Sequence, residues 1–159
     1  MSGQIKLDAI QLREYIVRPT LVRLGLWSVS AENLVVGTAV QESHLDYVKQ
    51  LGRGPALGIC QMEPRTHDDI WENYLRYHPG LAAKVGDFLA PWPSDRSKQL
   101  ITNLAYAVAL CRLHYRRVPT ALPKPNDLQG LADYWKRHYN TYLGAGTVDQ
   151  FVKNYERAH

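Results

Sequence analysis

Residues 30–46 read SAENLVVGTAVQESHLD, residues 47–57 YVKQLGRGPAL and residues 58–66 GICQMEPRT, and the contrast between these three pieces decides the fold. In the first, Leu34, Val35, Thr38, Ala39 and Glu42 fall on one face of a 3.6-residue repeat. The segment therefore predicts a helix whose apolar stripe is continued by an acid. Ser30 is the expected N-cap, with Glu32 favourably placed in the first turn. A carboxylate on a core-facing stripe is costly to desolvate unless it is paired, protonated or lining a cleft, which makes Glu42 the leading candidate for chemistry. The second piece, with Gly52, Gly54 and Pro55 leading to Gly58, holds too many breakers for a helix and predicts a loop with a short β-hairpin. Loops of this size inside a domain are usually functional.

Working outward, residues 5–17 place Ile5, Ala9, Leu12 and Ile16 on one face, an amphipathic helix halted by Pro19. A short helix from Thr20 to Leu24 stops at Gly25. After the loop, a helix capped by Thr66 carries Asp68 and Asp69 in its first turn and ends at His78-Pro79-Gly80. Residues 81–93 read as a helical turn and a proline-bounded loop. The longest helix spans roughly 96–117, with Leu100, Leu104, Val108, Cys111 and Tyr115 as its apolar seam. The connector PTALPKPND separates it from two last helices, about 128–139 and 148–157, the second opened by Thr147 and Gln150 at capping-box spacing. The fold class is mainly α, with at most one small β-hairpin.

The chain of 159 residues is the length of a single domain, 1–159, able to bury a core without disulfides or metals. Hydrophobic residues make up 45% and charged residues 21%, which argues against both disorder and a membrane protein. No apolar run reaches the roughly 20 residues of a membrane span, and MSGQIKLDAIQLREYI lacks the apolar core of a signal peptide. The net charge of +4 favours an anionic partner, whether nucleic acid, cell-wall polymer or acidic protein surface. Arg112, Arg116 and Arg117 with Lys136, Arg137 and His138 make two basic helix ends that read as solvated faces, and no nucleic-acid motif accompanies them. Cys60 and Cys111 read as two buried thiols rather than a disulfide. The six histidines show no clustered metal spacing, so neither a metal nor another cofactor is expected. Trp71, Trp92 and Trp135 suit sugar stacking, although most aromatics should be structural.

Three short motifs in order carry a resemblance. Glu42-Ser43 ends a helix, Gly58-Ile59-Cys60-Gln61 with Pro64-Arg65-Thr66 follows, and Tyr139-Asn140 precedes a glycine-rich turn. Over roughly residues 30–145 the chain resembles the soluble lytic transglycosylases, whose relatives include goose-type lysozyme. The resemblance implies a lysozyme-like fold with Glu42 as the one catalytic acid/base. Glu42 would protonate the leaving oxygen between N-acetylmuramic acid and N-acetylglucosamine in peptidoglycan, the substrate's own acetamido group would assist, and its 6-hydroxyl would close a 1,6-anhydro sugar. It further implies that Ser43 bonds the acetamido region, that Gln61 and the backbone near Gly58 line the cleft floor, and that Tyr139 orients Glu42 with Asn140 beside it. Cys60 stands where the family has Met, and Thr141 where it has Ala.

Elementary chemistry agrees with that assignment. Glycosidic cleavage needs an acid still protonated near neutrality, and a glutamate on a half-buried helix face is one way to obtain it. Most glycosidases add a second carboxylate, for which Asp46 and Glu63 are the nearby candidates; both read as solvated. Two alternatives stand beside the transglycosylase: a hydrolase in which water replaces the 6-hydroxyl, and a non-catalytic part of a phage tail or injection apparatus. Small size without a signal suggests a virion-associated bacteriophage protein acting in the periplasm or used in lysis, with virion or tail proteins as further partners. A secretion-system enzyme exported without a signal fits as well.

Overall fold

The computed structural model describes residues 5–140 and 144–159. Among them there are helices and no strand, so the protein is mainly α as expected. The expected hairpin is reduced to two isolated antiparallel bridges, Lys49 with Leu57 and Leu57 with Met62.

Helix α1 (Ala9–Leu12) runs through a π-helical turn (Arg13–Val17) into α2 (Arg18–Leu24). Pro19 was expected to halt the first helix and does not. A proline lacks an N–H and crowds the carbonyl four residues back. The wider π turn, closed by Arg18 N–H on the Arg13 carbonyl, lets the helix pass it. The helix begins later than expected because Asp8 caps it, accepting from Gln11 N–H at 2.9 Å. Ile5, expected on the buried face, is consequently exposed.

Helix α3 (Val29–Ser43) is the centre of the fold. Its cap is Ser28 rather than Ser30, whose hydroxyl lies inside the first turn and donates to the Pro123 carbonyl at 2.7 Å. Leu34, Val35, Thr38 and Ala39 are buried as expected, and so are Val36 and Val40 on the other side. A helix apolar all round must be covered all round. The cover comes from α7 (Leu104–Arg116), α8 (Leu128–Trp135) and α9 (Val148–Ala158). The capping box of Thr147 and Gln150 opens α9 as the sequence predicts.

Helix α4 (Pro64–Asn73) starts with Pro64 in its first turn and Glu63 as N-cap, so Thr66, expected as the cap, sits within the helix. A 3-10 turn (Leu75–Tyr77) joins it to α5 (Pro79–Gly86). The expected long helix over 96–117 is broken into a 3-10 turn (Arg96–Lys98), α6 (Gln99–Thr102) and α7. Asn103 makes the break with an extended backbone: its Oδ1 accepts from Tyr106 N–H at 3.0 Å and its amide donates to the Phe88 carbonyl at 2.7 Å. Within α7 the seam of Val108, Cys111 and Tyr115 is buried.

Glu32 ties the N-terminal helices to α3. Its carboxylate accepts from Arg13 at 2.8 Å, from Arg18 at 2.7 Å and from Trp27 at 3.0 Å. Burial pushes its pKa up, but the bonds from Arg18, Trp27 and Arg13 and the Arg13 charge outweigh it and hold the group down at about 2. A carboxyl depressed in the folded state stabilises above its unfolded pKa and loses that contribution as pH falls to the folded value. Glu32→Gln is expected to cost about 2 kcal/mol at neutral pH, because it takes the counter-charge from Arg13, which is largely buried, while the pair with the half-exposed Arg18 is screened by water. In urea melts the difference from wild type should shrink as pH drops through the window from 4.5 to about 2.

Candidate active site

The last turn of α3, the loop that follows it, the start of α4, His114 of α7, the π-helical turn after α8 (Lys136–Asn140) and residues 144–146 enclose an open cleft of about 550 Å³. Glu42 lies in its wall. The carboxyl Oε2 accepts a hydrogen bond from Trp135 Nε1 at 3.2 Å, and among the described residues no donor reaches Oε1. Burial pushes the Glu42 pKa up to about 7 against the opposing effects of the Trp135 bond and the Lys136 charge. Desolvation wins here because one long neutral hydrogen bond replaces little of the lost hydration. A substantial fraction of Glu42 is therefore protonated at neutral pH, and the group can both give and take a proton.

Three further sequence-assigned residues, Gln61, Tyr139 and Asn140, line the cleft, and two are turned away. Gln61 lines it, held in a left-handed backbone conformation (φ 51°) with its amide donating to the Gly58 carbonyl at 2.9 Å. Asn140 lines it as well, its Oδ1 accepting from Lys136 at 2.7 Å. Ser43, placed by resemblance against a bound sugar, is fully buried: its hydroxyl donates to the Ala39 carbonyl at 3.0 Å and accepts from Leu45 N–H at 3.2 Å. It closes the helix end instead of facing the cleft. Gly58 is likewise outside the wall, packed with φ 79° against the Leu100 carbonyl.

Tyr139 lines the cleft but does not bond Glu42; its hydroxyl donates to the Cys60 carbonyl at 2.6 Å. Burial, reinforced by the neighbouring Cys111, holds that hydroxyl protonated well above the usual phenol range. The partner expected of Tyr139 is supplied by Trp135, one helical turn earlier on the same face. Cys60 and Cys111 are free and buried beneath the cleft. No family model matches the chain, and neither does any curated protein or solved structure.

Sequence reasoning missed Tyr47 and His114. Tyr47 lines the cleft and its hydroxyl donates to the Glu42 backbone carbonyl at 3.2 Å. His114 on α7 is pushed down to about 4, by burial first and then by the Arg117 charge, so it is neutral at pH 7. Its Nδ1 accepts from Arg117 at 2.7 Å, and Arg117 also pairs with Asp69. The basic helix ends are thus internal fittings as much as solvated faces: Arg112 too is buried, donating to the Leu26 carbonyl at 3.0 Å. Of the possible second carboxylates, Glu63 lines the cleft and Asp46 does not. Trp92 is exposed, while Trp71 donates to Tyr106 at 2.8 Å inside the fold. Among the described residues no three His, Cys, Asp or Glu side chains group as metal ligands. Thr141, where the third motif departs from the family pattern, lies outside the described residues.

Proposed function

We propose that the protein is a peptidoglycan-cleaving lytic transglycosylase of lysozyme-like fold, with Glu42 as its single acid/base. The observation that carries this reading is the Glu42 carboxyl, raised to about 7 in the wall of an open cleft. The rest of the wall suits the substrate class. Gln41, Gln50, Gln61 and Asn140 bring amides, and Tyr47 and Tyr139 bring amphipathic rings, which together match the hydroxyl and acetamido groups of an amino-sugar chain. Glu42 would donate its proton to the glycosidic oxygen as the bond to C1 breaks, the acetamido group stabilising C1. It would then accept the proton of the 6-hydroxyl as that oxygen bonds C1, which returns Glu42 to its starting state.

A second reading has one observation in its favour. Glu63 on the cleft wall could serve as the second carboxylate of a hydrolase. Mass spectrometry of the muropeptides released from purified peptidoglycan separates the two: the transglycosylase predicts products lighter by one water than the hydrolase's. Reducing-end products throughout would replace the first reading by the second, and no release at all would sink both. Our reading places the enzyme in a bacteriophage virion or lysis system acting on the wall. No helix among the described residues is long and apolar enough to cross a membrane.

A further inference from the structure

Lys136 is the first residue of the π-helical turn (Lys136–Asn140) that extends α8, directly after Trp135. Its ammonium has three N–H donors, and all three are used. They reach Asn140 Oδ1 at 2.7 Å, the Gly144 carbonyl at 3.0 Å and the Gly146 carbonyl at 2.6 Å. Asn140, Gly144 and Gly146 all line the cleft that holds Glu42. Trp135 touches the same wall: a Cβ on Gly146 would lie 2.7 Å from its ring. The wall, the indole and the carboxyl thus form one contact chain, Gly146 to Trp135 to Glu42. No carboxylate pairs with Lys136 in the ion pairs of the described residues, so its charge is left to act on its surroundings.

We propose that Lys136 is a positioning residue, whose ammonium holds the 144–146 wall, and with it the Trp135 indole, against the cleft beside Glu42. This rests on Glu42 being the working acid. Glu42 meets titratable groups from every side. Asp46 and Tyr47 come from the loop after α3, Cys60 and Glu63 from the turn before α4, Cys111, His114 and Tyr115 from α7, and Tyr139 from the π turn. Burial keeps Cys111, Tyr115 and Tyr139 neutral at pH 7, and His114 is neutral there.

The test follows the Glu42 carboxyl by 13C NMR in the full chain across the neutral range, together with KM on soluble peptidoglycan fragments. Lys136→Met should raise the Glu42 midpoint by about one pH unit, since an adjacent cation favours the carboxylate. The lost staple should raise KM about tenfold. Lys136→Arg, which keeps the charge, should leave the midpoint at the wild-type value. If Lys136→Met does not fold, Lys136→Gln reads the same midpoint with two donors retained. A KM or a midpoint unmoved in the neutral variant overturns the proposal. The titration needs no turnover, so it stands apart from the failure of the enzymatic reading, which full activity of Glu42→Gln would reveal.

Discussion

Glu42→Gln is expected to slow peptidoglycan cleavage by about 10²- to 10⁴-fold, the range over which a positioned acid/base contributes. Glutamine keeps the shape of the side chain and can still accept from Trp135, so binding and fold should survive. What it cannot do is release a proton to a departing oxygen. The same substitution should stabilise the protein above neutral pH. Because Glu42 is raised from 4.5 to about 7, the folded state holds its proton more tightly than the unfolded chain. Stability is therefore complete below 4.5 and falls as pH rises through the window to about 7, where the loss levels off. A glutamine does not titrate and escapes that loss of about 3 kcal/mol. Thermal melts of the two proteins should coincide below pH 4.5, part progressively up to about pH 7 and stay apart by the full amount above it, with the inactive variant the more stable. Unchanged cleavage by the glutamine protein would remove Glu42 from the mechanism.

Gly58→Ala is expected to destabilise the fold by about 4 kcal/mol. Two costs combine: an L side chain in the left-handed region, about 1–2 kcal/mol, and overpacking against a rigid neighbour, about 1–3 kcal/mol. The neighbour is backbone, because an added Cβ would lie 2.1 Å from the Leu100 carbonyl oxygen at φ 79°. Gly52 isolates the second cost. It has φ 81° in the same loop, and nothing lies within 4 Å of its would-be Cβ. Gly52→Ala should therefore lose only about 1 kcal/mol. Equal losses in denaturant titrations of the two variants would show that the Leu100 contact is not what requires the glycine. The comparison also tests why GICQ begins with Gly: for packing against α6, where resemblance suggests room for a sugar ring.

What could be read in the sequence was whatever local chemistry determines. The apolar stripe of α3, the capping box of α9 and the buried seam of α7 follow from residues within a few positions of each other. Glu42 stood out because its burial is written into the same stripe. What escaped depends on partners remote in sequence. Asn103 breaks a helix because the Phe88 carbonyl is there to receive its amide. Ser43 turns inward because the chain reverses through His44 and Leu45, both at positive φ. Tyr139 was expected at Glu42, and the tertiary packing delivers Trp135 instead. The i, i+4 spacing of Trp135 and Tyr139 was the available signal, since it sets both rings on one face.

The central claim is that one carboxyl, held by burial and a single indole, remains protonated near neutrality in an open cleft. The 13C shift of the Glu42 carboxyl carbon, followed by pH titration of the intact wild-type protein and assigned by its absence in Glu42→Gln, measures this directly. The account predicts a midpoint of about 7. A midpoint at the ordinary 4.5 would contradict it, leaving an ionised Glu42 with no proton to give.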